Sequence, residues 1–148
     1  MFELCKGSLK VPLLYTKWYE AYKDTNLGAF VSFCGIVRAE DELEGLSFDI
    51  CENLFHSWFV TWQEKVEKEG VKLCFAHSIG DVKVHESSYL TGIFSKQRKL
   101  GLTLINEFVE DFKANAPIWK YDLLKGQRIY AKDRSIKLLG AGLLSDKG

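Results

Sequence analysis

Apolar and polar positions alternate between two periods along this chain, and the changes of period mark its elements. Residues 2–9 read as a short strand. Leu13 to Lys23 has helical spacing and opens at Pro12, a favourable first helical position. After the turn-forming Asp24-Thr-Asn-Leu-Gly28, Ala29 to Val37 is rich in β-branched and aromatic residues and predicts a buried strand. An acidic, turn-rich loop follows Arg38. Leu46 to Glu52 then sets Leu46, Phe48 and Ile50 against Ser47, Asp49 and Cys51, the period of a half-buried strand.

Leu54, Phe55, Trp58, Phe59, Trp62 and Val66 recur at helical spacing, and Gly70 supplies a C-terminal stop. That aromatic stripe reads as core. Val71 to Ile79 predicts a strand, Gly80-Asp81 a turn, and Val82–Val84 and Tyr89–Phe94 further strands. Ser95 to Asn115 carries Leu100, Leu104, Ile105, Phe108, Val109 and Phe112 on one helical face. Residues 121–132 predict a hairpin turning near Lys125-Gly126-Gln127, and the tail from Asp133 is weakly patterned. Short strands joined mostly by turns predict an α+β fold: one domain over residues 1–148, with a mixed, largely antiparallel sheet, helices on one face and a small C-terminal β-hairpin subdomain.

Composition narrows the class. Apolar residues make up 47% and aromatics 14%, which disfavours disorder. No apolar run reaches the roughly 20 residues that span a bilayer, and Met-Phe-Glu-Leu-Cys-Lys at the start shows no secretory pattern, so a cytoplasmic protein is expected. Cys5, Cys34, Cys51 and Cys74 form no CxxC pair, and His56, His77 and His85 stand at no ligand spacing to them. Reduced, packed thiols are the expectation, with no metal site. His77 and His85 carry no motif and read as structural.

The zero net charge hides an asymmetry: residues 1–95 sum to −5 and residues 96–137 to +5. Near-neutrality argues against nucleic acid, whereas a local basic segment suits a small anion or an acidic partner. A solvated basic face fits the charge count as well. Arg38 emerges from a strand end, rigidly based yet reachable. Lys96-Gln-Arg-Lys99 puts cations at a helix start, against the dipole, which a bound anion would offset. Lys113 and Lys120 flank the Ala-Pro-Ile-Trp stop, where proline ends the helix and tryptophan anchors the chain. By spacing alone, each lysine reads as a plain surface residue rather than a catalytic one.

In order, Gly28-Ala-Phe-Val-Ser-Phe-Cys-Gly-Ile-Val-Arg38, Glu52 opening a long helix, His77-Ser-Ile-Gly80, Gln97-Arg98 and Ala116-Pro-Ile-Trp-Lys120 resemble the MoaE family, the catalytic (large) subunits of molybdopterin synthase. The resemblance covers about residues 28 to 134 and implies an α/β hammerhead fold. It implies a homodimer within a heterotetramer, with a small ubiquitin-like sulfur carrier of the MoaD type docked at each end. That carrier's Gly-Gly tail, as a thiocarboxylate, would enter a pocket and give sulfur to cyclic pyranopterin monophosphate (precursor Z), building the dithiolene of molybdopterin. The resemblance implies no cofactor. Lys113 and Lys120 match the family's essential lysines, Lys113 nearest the tail. Ile36, Val37 and Arg38 match a substrate-pocket segment, and Arg98 matches an anion-binding arginine supplied across the dimer. Gln97, Tyr121, Asp122 and Arg134 complete the implied substrate-binding set. Gln97 stands where the family usually has His, Ser78 replaces a common arginine, and the loop after Arg38 is acidic where Asn and His are common. A dimeric docking module without turnover is the alternative that Gln97 favours; a different small-anion enzyme on the same scaffold is a third.

Overall fold

A computed structural model describes residues 1–131. The elements run β1 (Phe2–Lys6), α1 (Val11–Tyr22), β2 (Ala29–Ile36), β3 (Gly45–Ile50), α2 (Glu52–Glu67), β4 (Lys72–Lys83), β5 (Ser87–Ser95), α3 (Arg98–Asn115), β6 (Ile118–Leu124) and β7 (Gln127–Tyr130). Strand order is β2-β5-β4-β3-β6-β7, all antiparallel, with β1 added parallel to β4. The α+β class and the mixed, mainly antiparallel sheet are as expected. Arg134 and the rest of the tail lie outside the described residues.

Strand β4 organises the molecule. Its first half pairs with β5 on one side and β1 on the other, while Gly80–Lys83 pair with β3. The turn expected at Gly80-Asp81 is therefore absent. Gly80 adopts φ +81° within the strand, which glycine does at little steric cost. The reversal comes at 84–86 instead, with His85 at φ +73°. A second tight spot is Gly45, where a Cβ would lie 2.3 Å from the Val82 carbonyl oxygen. Only glycine lets β3 approach β4 there.

Alternation along β4 divides the core. Leu73 and Phe75 face α2 and α3, in a cluster with Phe55, Phe59, Trp62, Val66, Leu104, Phe108 and Phe112. Cys74 and Ala76 face Leu14 and Trp18 of α1 on the other side. The helices thus cover both faces of this sheet and not one face as expected, because residues 73–78 of β4 and all of β5 are buried and need a cover on each side. The α2 stripe packs as expected except Leu54, which is exposed. Trp58 and Trp62 donate their indole N–H groups to Asp111 Oδ2 of α3 at 2.9 and 2.6 Å, fastening the two helices together. Ser47, expected on the polar face of β3, is buried and donates to Asp81 at 2.6 Å.

The hairpin turns at Lys125 and Gly126, both at positive φ, as a two-residue turn of the primed type requires. Strand β6 lies against β3, so the expected C-terminal hairpin, β6–β7, is an extension of the sheet.

Candidate functional site

A recess of about 450 Å³ opens where the end of β2, the end of α3 and the β3–β6 ladder meet. Its mouth carries Arg38, Glu40, Lys113 and Lys120, and its floor is made by Phe48, His77, Tyr89, Val109 and Phe112. Among the described residues, three cations and one carboxylate surround an apolar cleft, an arrangement suited to an anionic guest with an uncharged body.

Each cation is placed by local structure. Val37 donates to Glu86 O at 2.9 Å and accepts from His85 N at 2.7 Å, so the turn at 84–86 clamps the end of β2 and fixes the origin of Arg38. The guanidinium donates to Glu40 Oε1 at 2.8 Å, with the arginine side chain 82% exposed. Lys113 sits in the last turn of α3, where the dipole favours a cation. Ala116 is extended at ψ 134°, as a residue preceding proline prefers, and the helix stops there. The chain re-enters as β6 with Ile118 buried, which delivers Lys120 opposite Phe48. The Pro-Ile-Trp stop does what its sequence suggests: it turns two lysines seven positions apart onto one cleft.

Alternation on β6 separates the other expected residues. Tyr121 lies on the opposite face from Lys120; Arg128, held by Asp49 at 2.9 Å, stacks over its ring at 3.9 Å. Burial first, then the Asp49 carboxylate, pushes the Tyr121 phenol up. Asp122 shares the Lys120 face, opposite Leu46, but does not line the recess. Gln97 and Arg98 are at the far end of α3, about 22 Å from Lys113 at 1.5 Å per residue. With Gly28, Ala29, Lys96 and Lys99 they line a second, basic recess of about 520 Å³. Within one chain the structure unites Ile36, Val37, Arg38, Lys113 and Lys120, and leaves Gln97, Arg98, Tyr121 and Asp122 elsewhere. Lys96 and Gln97 precede the helix, Gln97 being its N-cap residue without a side-chain capping bond.

His77, read from sequence as structural, belongs to the recess floor. It is 2% exposed, set edge-on to Phe48 at 4.9 Å and stacked against Phe112 at 5.4 Å. Burial drives its pKa down to about 4; the bond to Ser78 O opposes this and the Lys120 charge adds to it. Its ring is therefore neutral near pH 7. Tyr89, its cross-strand partner, is likewise buried with its phenol pushed up by desolvation. A polar ring inside the apolar run of β4 was the available signal for His77.

Of the thiols, Cys74 is buried and raised to about 12 by desolvation, and all four cysteines are unpaired. None lines the recess. Among the described residues no three His, Cys, Asp or Glu side chains gather as a metal-binding set, and no helix is long and apolar enough to cross a membrane.

Known proteins resemble this chain in sequence and in fold. A molybdopterin synthase catalytic subunit from Helicobacter pylori (strain ATCC 700392 / 26695) is 49% identical over 145 residues, covering 98% of this chain and 100% of that protein. One from Dictyostelium discoideum is 31% identical over 118 residues, covering 70% of each. Among solved structures, the complex of subunits 1 and 2 of molybdopterin-converting factor from Helicobacter pylori 26695 contains a chain 49% identical, with a TM-score of 0.89 and coverage of 97% and 98%. The molybdopterin synthase of Staphylococcus aureus shares the fold at a TM-score of 0.76 with 19% identity. The family model for the MoaE protein matches residues 10–115, which take in β2, the His77 strand and α3 through Lys113. With its fold, its lysine-bearing recess and these relatives in agreement, the chain belongs to the MoaE family.

Proposed function

We propose that this chain is the catalytic subunit of a molybdopterin synthase, a sulfurtransferase of molybdenum cofactor biosynthesis. It moves sulfur from the thiocarboxylated C-terminus of a small ubiquitin-like MoaD-type partner to cyclic pyranopterin monophosphate. The observation that carries this reading is the convergence of Lys113 and Lys120 on one recess whose rim also bears Arg38, in a chain 49% identical to a catalytic subunit.

The recess suits the chemistry. Its walls are largely apolar and its cations sit at the mouth, so a phosphate can be held there by Arg38 while the uncharged body lies within. The partner's tail would enter past Ile36 and Phe33, both exposed on the edge strand β2, which gives the entrance an apolar rim. Lys113 and Lys120 then stabilise the charge that develops as the thiocarboxylate attacks the pterin side chain, and they move protons during the transfer. Sulfur arrives on the partner, so neither a cysteine of this chain nor a metal or organic cofactor is called for. Arg98 cannot reach the recess of its own chain, which supports a homodimer in which the second copy brings its arginine to the site. With a partner on each copy the assembly is a heterotetramer, and we place it in the cytoplasm.

Mixing the purified chain with thiocarboxylated partner and cyclic pyranopterin monophosphate, then assaying molybdopterin, tests the reading. Product well above the partner-only background is expected. No product, with partner binding retained, would replace the enzyme with the docking module that Gln97 favours.

A further inference from the structure

Among the described residues, His77 is a polar group on the recess floor whose bonding is settled on one side and open on the other. Its Nδ1 lies 2.8 Å from Ser78 O. A carbonyl only accepts, so Nδ1 carries the proton and Nε2 presents a lone pair. Among the described residues no hydrogen bond reaches Nε2. The ring cannot turn away to find one, because Phe48 and Phe112 pack against it at 4.9 and 5.4 Å and Tyr89 sits opposite across the ladder. An acceptor without a partner in the lining of a cleft is available to a donor that a guest brings.

The neighbours select what that donor is. The rings of Phe48 and Phe112 pack against the imidazole and Val109 also lines the recess, while the charges of Lys113, Lys120 and Arg38 lie at the mouth. An anionic group would stay with the cations. The floor therefore suits a neutral donor carried by the same guest, and an amide-type N–H fits a lone acceptor in an apolar wall.

We propose that His77 is a guest-binding residue, its Nε2 accepting a hydrogen bond from an amide-type N–H of the molecule that the recess lysines hold. The inference rests on the sulfur-transfer reading, in which two guests carry such a group: the glycyl tail of the partner, through its backbone amide, and the pterin, through the lactam N–H of its ring. The bond fixes depth and orientation, so that a reacting atom stops level with Lys113 and Lys120.

The test compares wild type, His77→Phe and His77→Gln. Phenylalanine keeps the ring and removes the acceptor; glutamine restores an acceptor. Affinity is measured separately for the partner with its natural carboxylate tail and for cyclic pyranopterin monophosphate. In parallel, the Nε2 resonance of nitrogen-15-labelled wild type is followed as each is added, which needs no substitution to fold. For one of the two ligands, His77→Phe should bind about 3- to 10-fold more weakly, His77→Gln should recover part of the loss, and Nε2 should shift. Which ligand shows this identifies the donor. If neither ligand gives both the affinity loss and the shift, the inference fails. Wild type that binds neither ligand would overturn the sulfur-transfer reading as well; binding that His77→Phe retains unchanged overturns this inference alone.

Discussion

Arg38 Nη2 and Glu40 Oε1 meet at 2.8 Å on the rim of the recess, so the arginine best placed to hold a phosphate already holds a carboxylate. Both side chains are largely exposed, and such a pair is weak and easily exchanged. The singly charged cyclic phosphate of the guest meets Arg38 on equal terms with that carboxylate, and it must displace it. Glu40→Gln should therefore lower the KM for cyclic pyranopterin monophosphate by about 2- to 5-fold at low ionic strength, with the gain shrinking as salt is added. Equal KM values for the two proteins at low salt would show that Glu40 does not compete.

Lys120→Ala should abolish product formation with little change in melting temperature, because the side chain ends at the mouth of the recess and the core beneath it is supplied by Phe48 and Phe112. Lys113→Ala should behave the same way, being exposed in the last turn of α3. A large drop in melting temperature for either variant would make that lysine structural.

Separation of Arg98 from Lys113 along α3 makes a complementation experiment decisive. Arg98→Ala and Lys120→Ala should each be inactive alone. When the two are unfolded and refolded together, the mixed dimer regains one intact site, so roughly a quarter of wild-type activity should return. No recovery, with mixed dimers confirmed by mass, would place Arg98 outside the site.

His77 gives the fold an acid sensitivity. Its pKa falls from 6.5 in the open chain to about 4 in the native state. Above 6.5 neither state takes up the proton. Between 6.5 and about 4 the unfolded chain binds it and the native chain does not, so stability falls as pH drops through that window, by up to about 3 kcal/mol. Urea unfolding at about pH 7 and about pH 4.5 should show the loss in wild type and a smaller one in His77→Phe. Parallel losses in both proteins would assign the effect to other groups.

Asp111 should act at lower pH. Its carboxyl is held below the usual range: desolvation opposes this, but the bonds from Trp62, Asn115 and Trp58 outweigh it. Its contribution is present above the ordinary carboxylate range and is lost as pH falls through the lower native value. Asp111→Ala leaves two indole N–H groups without their acceptor and should cost about 2–3 kcal/mol, read by denaturant midpoint. A loss below about 0.5 kcal/mol would mean that water replaces the carboxylate at no penalty.

The elements with strong periodicity were legible in the sequence: α2 and α3 through their aromatic and aliphatic stripes, and the hairpin through Lys125-Gly126. What failed were local rules overridden by the sheet. Gly80 signals a turn to any reader of short motifs, yet here it lets one strand pass from one ladder to the next, while the actual reversal falls at His85, where no glycine advertises it. The two lysines could be paired because a proline between them stops the helix. Tyr121 could not be sorted from Lys120 without knowing which face of β6 meets Phe48. His77 was hidden because a polar residue in a buried run looks the same whether its partner belongs to the protein or to a guest.

The continuity of β4 carries a last consequence. Because this strand is an inner member of the ladder holding β5 and of the one holding β3, neither assembly has a separate seam along which to come apart. Among the described residues the lysine-bearing hairpin joins that strand only through β3, so a fragment ending before β6 would keep the shared strand and lose one wall of its cleft.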